Sequence, residues 1–136
     1  VPTMIFVNLP VNDLDASKEF FTKLGYKINQ QFTDEKASCI VISDTIYLML
    51  LVKPFFKSFT SKEIIDASSG TETILALSAD SRQGVDDLVD RAIAAGAGTS
   101  QEPMDEGFMY SRSFADPDGH LFEVMWMDPA AVQPTP

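Results

Sequence analysis

This sequence predicts an α+β fold made of two successive modules, each running β-α-β-β-β. Three observations predict it. The order strand, helix, three strands can be read twice along the chain. Val85, Leu88, Val89, Ala92 and Ile93 recur at the spacing of one helix face. Turn residues fall between the extended segments, most clearly at Asp116-Pro117-Asp118-Gly119. The chain has 136 residues, 45% of them hydrophobic. That suits a single domain over 1–136 with a real core and argues against a disordered chain. Module 1 is expected over about 4–52, a connector over 53–70, module 2 over about 71–128 and a tail over 129–136.

Module 1 opens with an apolar strand over 4–9. A helix over 13–24 follows, with Leu14, Phe20, Phe21 and Leu24 on or near one face. Asp13 is its N-cap, and Gly25 sits where a left-handed residue closes a helix. Strands are expected over 26–31, 37–42 and 46–52, with Ser43-Asp44-Thr45 as a turn. Module 2 begins with a strand over 73–79. Asp80 or Ser81 caps a helix that runs to Ala95 and closes at Gly96. Extended pieces follow over 98–102, 108–115 and 120–127. The connector holds Phe55, Phe56 and Phe59, and Thr60-Ser61-Lys62-Glu63 fits a capping box for a short helix. Its aromatic residues either cover a cleft or partner surface or plug the core between modules. The Pro-rich tail is expected to fray.

Composition excludes several classes. Twenty acidic against ten basic residues give a net charge of −10, which disfavours nucleic acid as a partner. No apolar run approaches the ~20 residues of a membrane span. No basic segment precedes an apolar one at the start, so a signal peptide is expected to be absent or removed. Cys39 is the only cysteine and His120 the only histidine. A disulfide within the chain and any site needing two histidines are thereby excluded, and a cytoplasmic location is expected.

Three segments carry a family resemblance: residues 7–17 (VNLPVNDLDAS), 20–26 (FFTKLGY) and 116–123 (DPDGHLFE). With the duplicated module order, they resemble the vicinal oxygen chelate superfamily of glyoxalase I, bleomycin-resistance proteins and extradiol dioxygenases. The likeness extends over about residues 4–128. It implies a curved mixed sheet around a cleft and a homodimer. It also implies metal ligands on the first and last strands of each module. Carried over position by position, those ligands fall on Phe6, Met49, Ile74 and Glu123. Only Glu123 is a metal-ligand type, and a divalent ion needs several N or O donors. The expectation is that the metal site is lost and no cofactor is used. A two-residue slip would bring in Asn8 or Glu72, so a divalent metal is not excluded at this stage.

Strand pairing bears on Glu123. If Asp116 faces Gly119 across the turn, Phe114 faces Leu121, Arg112 faces Glu123 and Tyr110 faces Met125. Arg112 would then neutralise Glu123 where a metal would sit. A structural ion pair without a binding role is the other reading. Alternation adds Met4 and Asn8 to the face of Phe6, Tyr47 and Leu51 to that of Met49, and Glu72, Ala76 and Ser78 to that of Ile74. The ligand-binding set is therefore Phe6, Asn8, Met49, Ile74, Tyr110, Arg112 and Met125. Glu123 is the candidate catalytic base. Plain core is the competing explanation for the methionines.

Other residues have structural explanations. His120 is expected to point away from Glu123 as a surface or hydrogen-bonded residue. Cys39 is expected to be buried and inert. Turn chemistry accounts for Asp116 and Asp118. Asp86, Asp87 and Asp90 read as a solvated helix face. Trp126 belongs beside Phe122 and Val124 facing the helices. The leading functional expectation is a metal-free binder of a small organic molecule in an apolar cleft. The alternatives are a superfamily lyase, isomerase or dioxygenase using Glu123, and an interaction module docking through Phe55, Phe56 and Phe59.

Overall fold

The computed structural model describes residues 1–98 and 101–131. They form two compact units, Val1–Asp66 and Ala67–Pro136. Each contains one four-stranded mixed sheet.

In the first unit, β1 (Ile5–Val11) leads into α1 (Leu14–Lys23). The Asp13 carboxylate accepts the Ala16 amide at 3.0 Å, which satisfies one orphan donor of the helix start. Gly25 follows the helix at φ 105°, a left-handed backbone that suits glycine. Then come β2 (Lys27–Asn29), β3 (Ala37–Val41) and β4 (Ile46–Val52), in sheet order β1-β4-β3-β2. β1 and β4 run parallel and the other pairs antiparallel. Phe20, Phe21 and Leu24 are buried together with Leu9, Val11, Ile40, Leu48 and Leu50. The segment expected as a strand over 26–31 turns early into a 3-10 helix, Gln30–Phe32, because the Asn29 side chain accepts the Gln31 amide.

The connector differs from expectation. Its helix is α2 (Lys53–Lys57), with Pro54 in the first turn, where a missing N–H costs nothing. Thr60 caps no helix. Its hydroxyl accepts the Lys62 amide two residues on, which is turn geometry. Phe55 meets Phe59 edge-on at 5.1 Å, with the Lys36 ammonium 5.9 Å from the Phe55 ring centre.

In the second unit, β5 (Ile74–Ser78) leads into α3 (Arg82–Ala94), capped by the Ser81 hydroxyl on the Gly84 amide. β6 (Met104–Asp105), β7 (Met109–Ala115) and β8 (Leu121–Met127) complete a sheet of order β5-β8-β7-β6. β5 and β8 are parallel, the others antiparallel. α3 packs on β7 and β8 through Val85, Val89 and Ala92, while Ile93 at the end of the stripe stays largely exposed. Beneath the helix, Phe114 and Phe122 stack as a cross-strand pair at 5.0 Å. Of the extended piece expected over 98–102, Gly98 makes an isolated bridge to Ala115. Residues 99–100 lie outside the described residues, as does 132–136 of the expected frayed tail.

Candidate functional site

The hairpin turn decides which side chains share a face. The Asp116 amide donates to the His120 carbonyl at 3.0 Å, so Asp116 pairs with His120 rather than with Gly119. Three residues fill the loop, and Gly119 adopts φ 95°. This is a tight turn followed by a left-handed glycine, the combination that reconciles such a turn with the right-handed twist of its strands. A side chain at Gly119 would also lack room. An ideal Cβ there would stand 2.7 Å from the Ala67 carbonyl oxygen.

The extra loop residue moves the register by one, and a one-residue slip sends side chains to the opposite face. Ser113, not Arg112, faces Glu123. Arg112 faces Val124, and Tyr110 faces Trp126. The expected Arg112–Glu123 pair is therefore overturned, and Tyr110 and Arg112 leave the Glu123 face. They lie on the α3 side with Phe122, Val124 and Trp126, where Trp126 was expected.

On that side the charges are paired. One Arg112 amine nitrogen donates to Asp86 and to Asp90, both at 2.9 Å. The Tyr110 hydroxyl donates to the same Asp86 oxygen at 2.7 Å. The Tyr110 bond, then that of Arg112, holds the Asp86 carboxyl below its ordinary range against the opposing effect of burial. Asp86 and Asp90 are thus anchors for Arg112, not merely a solvated face. Arg82 reaches Asp105 with both terminal nitrogens, at 2.9 and 2.7 Å, and lies over the Tyr110 and Trp126 rings at 5.1 and 5.3 Å. The Arg82 bond, then the Gly107 amide, holds the Asp105 carboxyl down to about 2.

The opposite face carries Glu123, Met125 and Ser113 from the hairpin, with Ile74, Ala76 and Ser78 from β5. Ile74 is 58% exposed, and Glu123 and Met125 are half-buried. Among the described residues the Glu123 side chain has no hydrogen-bond or ion-pair partner.

In the first unit, Phe6 pairs with Tyr47 and Asn8 with Met49. The Phe6 and Tyr47 rings stack at 4.9 Å, yet Phe6 remains 47% exposed. The Asn8 amide donates to the Phe6 carbonyl, and the Tyr47 hydroxyl to the Asp44 carbonyl. Cys39, opposite Met49, is buried, and burial pushes its thiol up.

The turn gathers a cluster that sequence reasoning set aside. One carboxylate oxygen of Asp116, one of Asp118 and a ring nitrogen of His120 lie within 4.8 Å of one another. Asp116 Oδ1 accepts the Asp118 and His120 amides, which is the turn chemistry expected. Among the described residues, Asp116 Oδ2 is buried without a hydrogen-bond partner. Burial raises the Asp116 carboxyl to about 6. The spacing of one ligand type at every second residue was the available signal.

The resemblance assigns metal-ligand positions to Phe6 and Met49 in the first unit and to Ile74 and Glu123 in the second. Phe6, Met49 and Ile74 offer no oxygen or nitrogen side-chain donor, and Glu123 offers a single carboxylate, where a divalent ion needs several donors. Glu72, the alternative to Ile74, precedes β5 and is exposed.

Comparison with known proteins agrees with this architecture. Residues 3–43 match the family model described as bleomycin resistance protein-like N-terminal. A hypothetical protein, SA1046, from S. aureus is similar over 93% of this chain and 94% of its own, at 29% identity and TM-score 0.77. A glyoxalase/bleomycin resistance protein/dioxygenase family enzyme from Burkholderia phytofirmans PsJN is similar over 93% and 99%, at 19% identity and TM-score 0.75. Lactoylglutathione lyase from Agrobacterium tumefaciens is similar over 98% and 100%, at 19% identity and TM-score 0.69. No curated protein sequence matches the chain. The fold is that of the glyoxalase/bleomycin-resistance/dioxygenase group, the vicinal oxygen chelate superfamily.

Proposed function

Starting from the vicinal oxygen chelate fold, we propose that this chain binds a small organic molecule without using a metal at the superfamily's ligand positions. The observation that supports this reading is side-chain chemistry: Phe6, Met49 and Ile74, which the resemblance places at three of those positions, offer no oxygen or nitrogen donor. Exposed apolar side chains on a strand face suit a greasy ligand. The corrected register also changes the expected ligand. Arg112 is engaged with Asp86 and Asp90, so an anionic group has no evident partner beside Glu123. The charge on that face is negative, and the chain as a whole carries −10. A ligand with an apolar body and a cationic or hydrogen-bond-donating group is the better match.

Thermal shift with a panel of aromatic amines, aromatic acids and neutral aromatics tests this. A ligand that binds only the folded state raises Tm. The amines should stabilise the protein, and Glu123→Gln should remove that preference. No shift from any class at saturating concentration, or a preference for acids, would overturn the reading.

The lone carboxylate also favours a second reading, in which Glu123 acts as a general base in a lyase, isomerase or dioxygenase-type reaction. A half-buried carboxylate without a partner is free to take a proton from a bound molecule. Unchanged turnover in Glu123→Gln on a substrate found by activity screening would remove it. Pairing with a second copy and a cytoplasmic location belong to the first reading. Light scattering reporting a monomer at working concentration would count against the pairing. No described helix is long and apolar enough to cross a membrane.

A further inference from the structure

We propose a divalent-cation site in the β7–β8 turn, built from Asp116, Asp118 and His120 and separate from the positions discussed above. Two independent observations point to it. The first is convergence. One donor atom from each residue lies within 4.8 Å of the others, and two donors sharing an ion stand about 3–4 Å apart, so small side-chain movements would close the shell. The second is an orphan atom. Asp116 is 4% exposed, yet among the described residues its Oδ2 has no hydrogen-bond partner. A buried carboxylate oxygen without a partner is costly, and an ion is one of the few things that satisfies it.

The turn explains how the site is held. Asp116 Oδ1 is fixed by the Asp118 amide at 3.0 Å and the His120 amide at 2.8 Å. These bonds orient the carboxylate and leave Oδ2 as its remaining acceptor, the support that a liganding group needs. Pro117 and the left-handed Gly119 set the path that returns His120 towards Asp116. The Ala67–Ser68 backbone lies against Gly119 and walls that side of the turn. Two carboxylates and one imidazole are a borderline set. It suits Zn²⁺ or Mn²⁺ with water completing the shell and offers nothing to a soft ion. Because all three ligands come from one hairpin end, an ion here would brace that turn.

The test titrates Zn²⁺ and, separately, Mn²⁺ into the full chain after chelator treatment, by calorimetry, with Tm followed in parallel. One equivalent should bind with a rise in Tm. Asp118→Asn and His120→Gln should each weaken binding at least ten-fold while circular dichroism shows the same fold. Asp116→Asn is unsuitable alone, since it also disturbs the turn. Glu123→Gln should bind the ion as the parent does, which separates this site from the ligand reading above. Failure of the folded parent to bind either ion would overturn the proposal. So would unchanged affinity in both Asp118→Asn and His120→Gln, or loss of binding in Glu123→Gln alone.

Discussion

The two faces of the β7–β8 hairpin are made from alternate residues of the same strands, yet they solve different problems. On the α3 side, Arg112, Tyr110 and Arg82 are tied to Asp86, Asp90 and Asp105. On the other side, Glu123 stands among Met125, Ile74 and Ser113 without a partner among the described residues. Satisfied charges hold a helix on a sheet, whereas an unsatisfied one is available to something that arrives later. The face with the larger number of charged groups is therefore the one whose charges are paired.

Breaking the turn should have the largest effect, because the turn assigns residues to faces. Gly119→Ala would force a side chain into the left-handed region and against the Ala67 carbonyl. Urea denaturation should show a loss of about 3 kcal/mol. A loss under about 1 kcal/mol would mean that the turn relaxes easily.

Next comes pH. The folded Asp116 carboxyl is raised to about 6, above the ordinary value of 3.8. Its neutral form is favoured by folding, so its contribution to stability declines as pH rises from about 4 to 6. Two units correspond to about 3 kcal/mol. Asp86 has the opposite sign. Its carboxyl is lowered, so its contribution is present above the ordinary carboxylate range and lost as pH falls through its folded value. Denaturation of chelator-treated protein across pH 3–8 should show the first slope, and Asp116→Asn should flatten it.

A smaller effect is expected from Arg112→Met. It would leave Asp86 and Asp90 side by side without their cation. Both acids are partly exposed, so about 1–2 kcal/mol should be lost. A double-mutant cycle with Asp86→Asn should show coupling between the two sites. Glu123→Gln should be the mildest, within about 0.5 kcal/mol in stability, with its effect confined to ligand binding. A loss comparable to that of Arg112→Met would mean that Glu123 is structural and would erase the contrast between the faces.

What could be read from the chain divides along the same line. Most helices and strands announced themselves through periodicity and caps, but the connector helix is Lys53–Lys57 and does not follow Thr60, and β6 is Met104–Asp105, beyond the piece expected over 98–102. The Val85, Val89 and Ala92 stripe and the Asp13 and Ser81 caps depend only on near neighbours. In module 1 the resemblance set Phe6 and Met49 on one side and alternation added Asn8 and Tyr47, and the β1–β4 register pairs Phe6 with Tyr47 and Asn8 with Met49. Module 2 misled most at its turn. Asp116-Pro117-Asp118-Gly119 reads equally as a two-residue or a three-residue loop, and only the left-handed backbone of Gly119 decides. The partners of Arg112 lie 22 and 26 residues away, beyond local pattern reading. One trace of them was visible, since Asp86 and Asp90 stand one helical turn apart on α3 and so converge on a shared cation. Turn preferences accounted for Asp116 Oδ1, and they could not reveal that Oδ2 would be buried and orphaned.

Loops at hairpin tips are ordinarily where a protein best tolerates insertion or deletion. The three-residue loop here should be an exception of a particular kind. The strands can keep their pairing whatever the loop length, so length alone does not exchange the two faces. What limits change is Gly119, whose left-handed backbone and close approach to the Ala67 carbonyl leave no room for a side chain. Graft libraries at this tip should therefore yield folded proteins mainly where that glycine is kept, and variants that replace it should be recovered as aggregates.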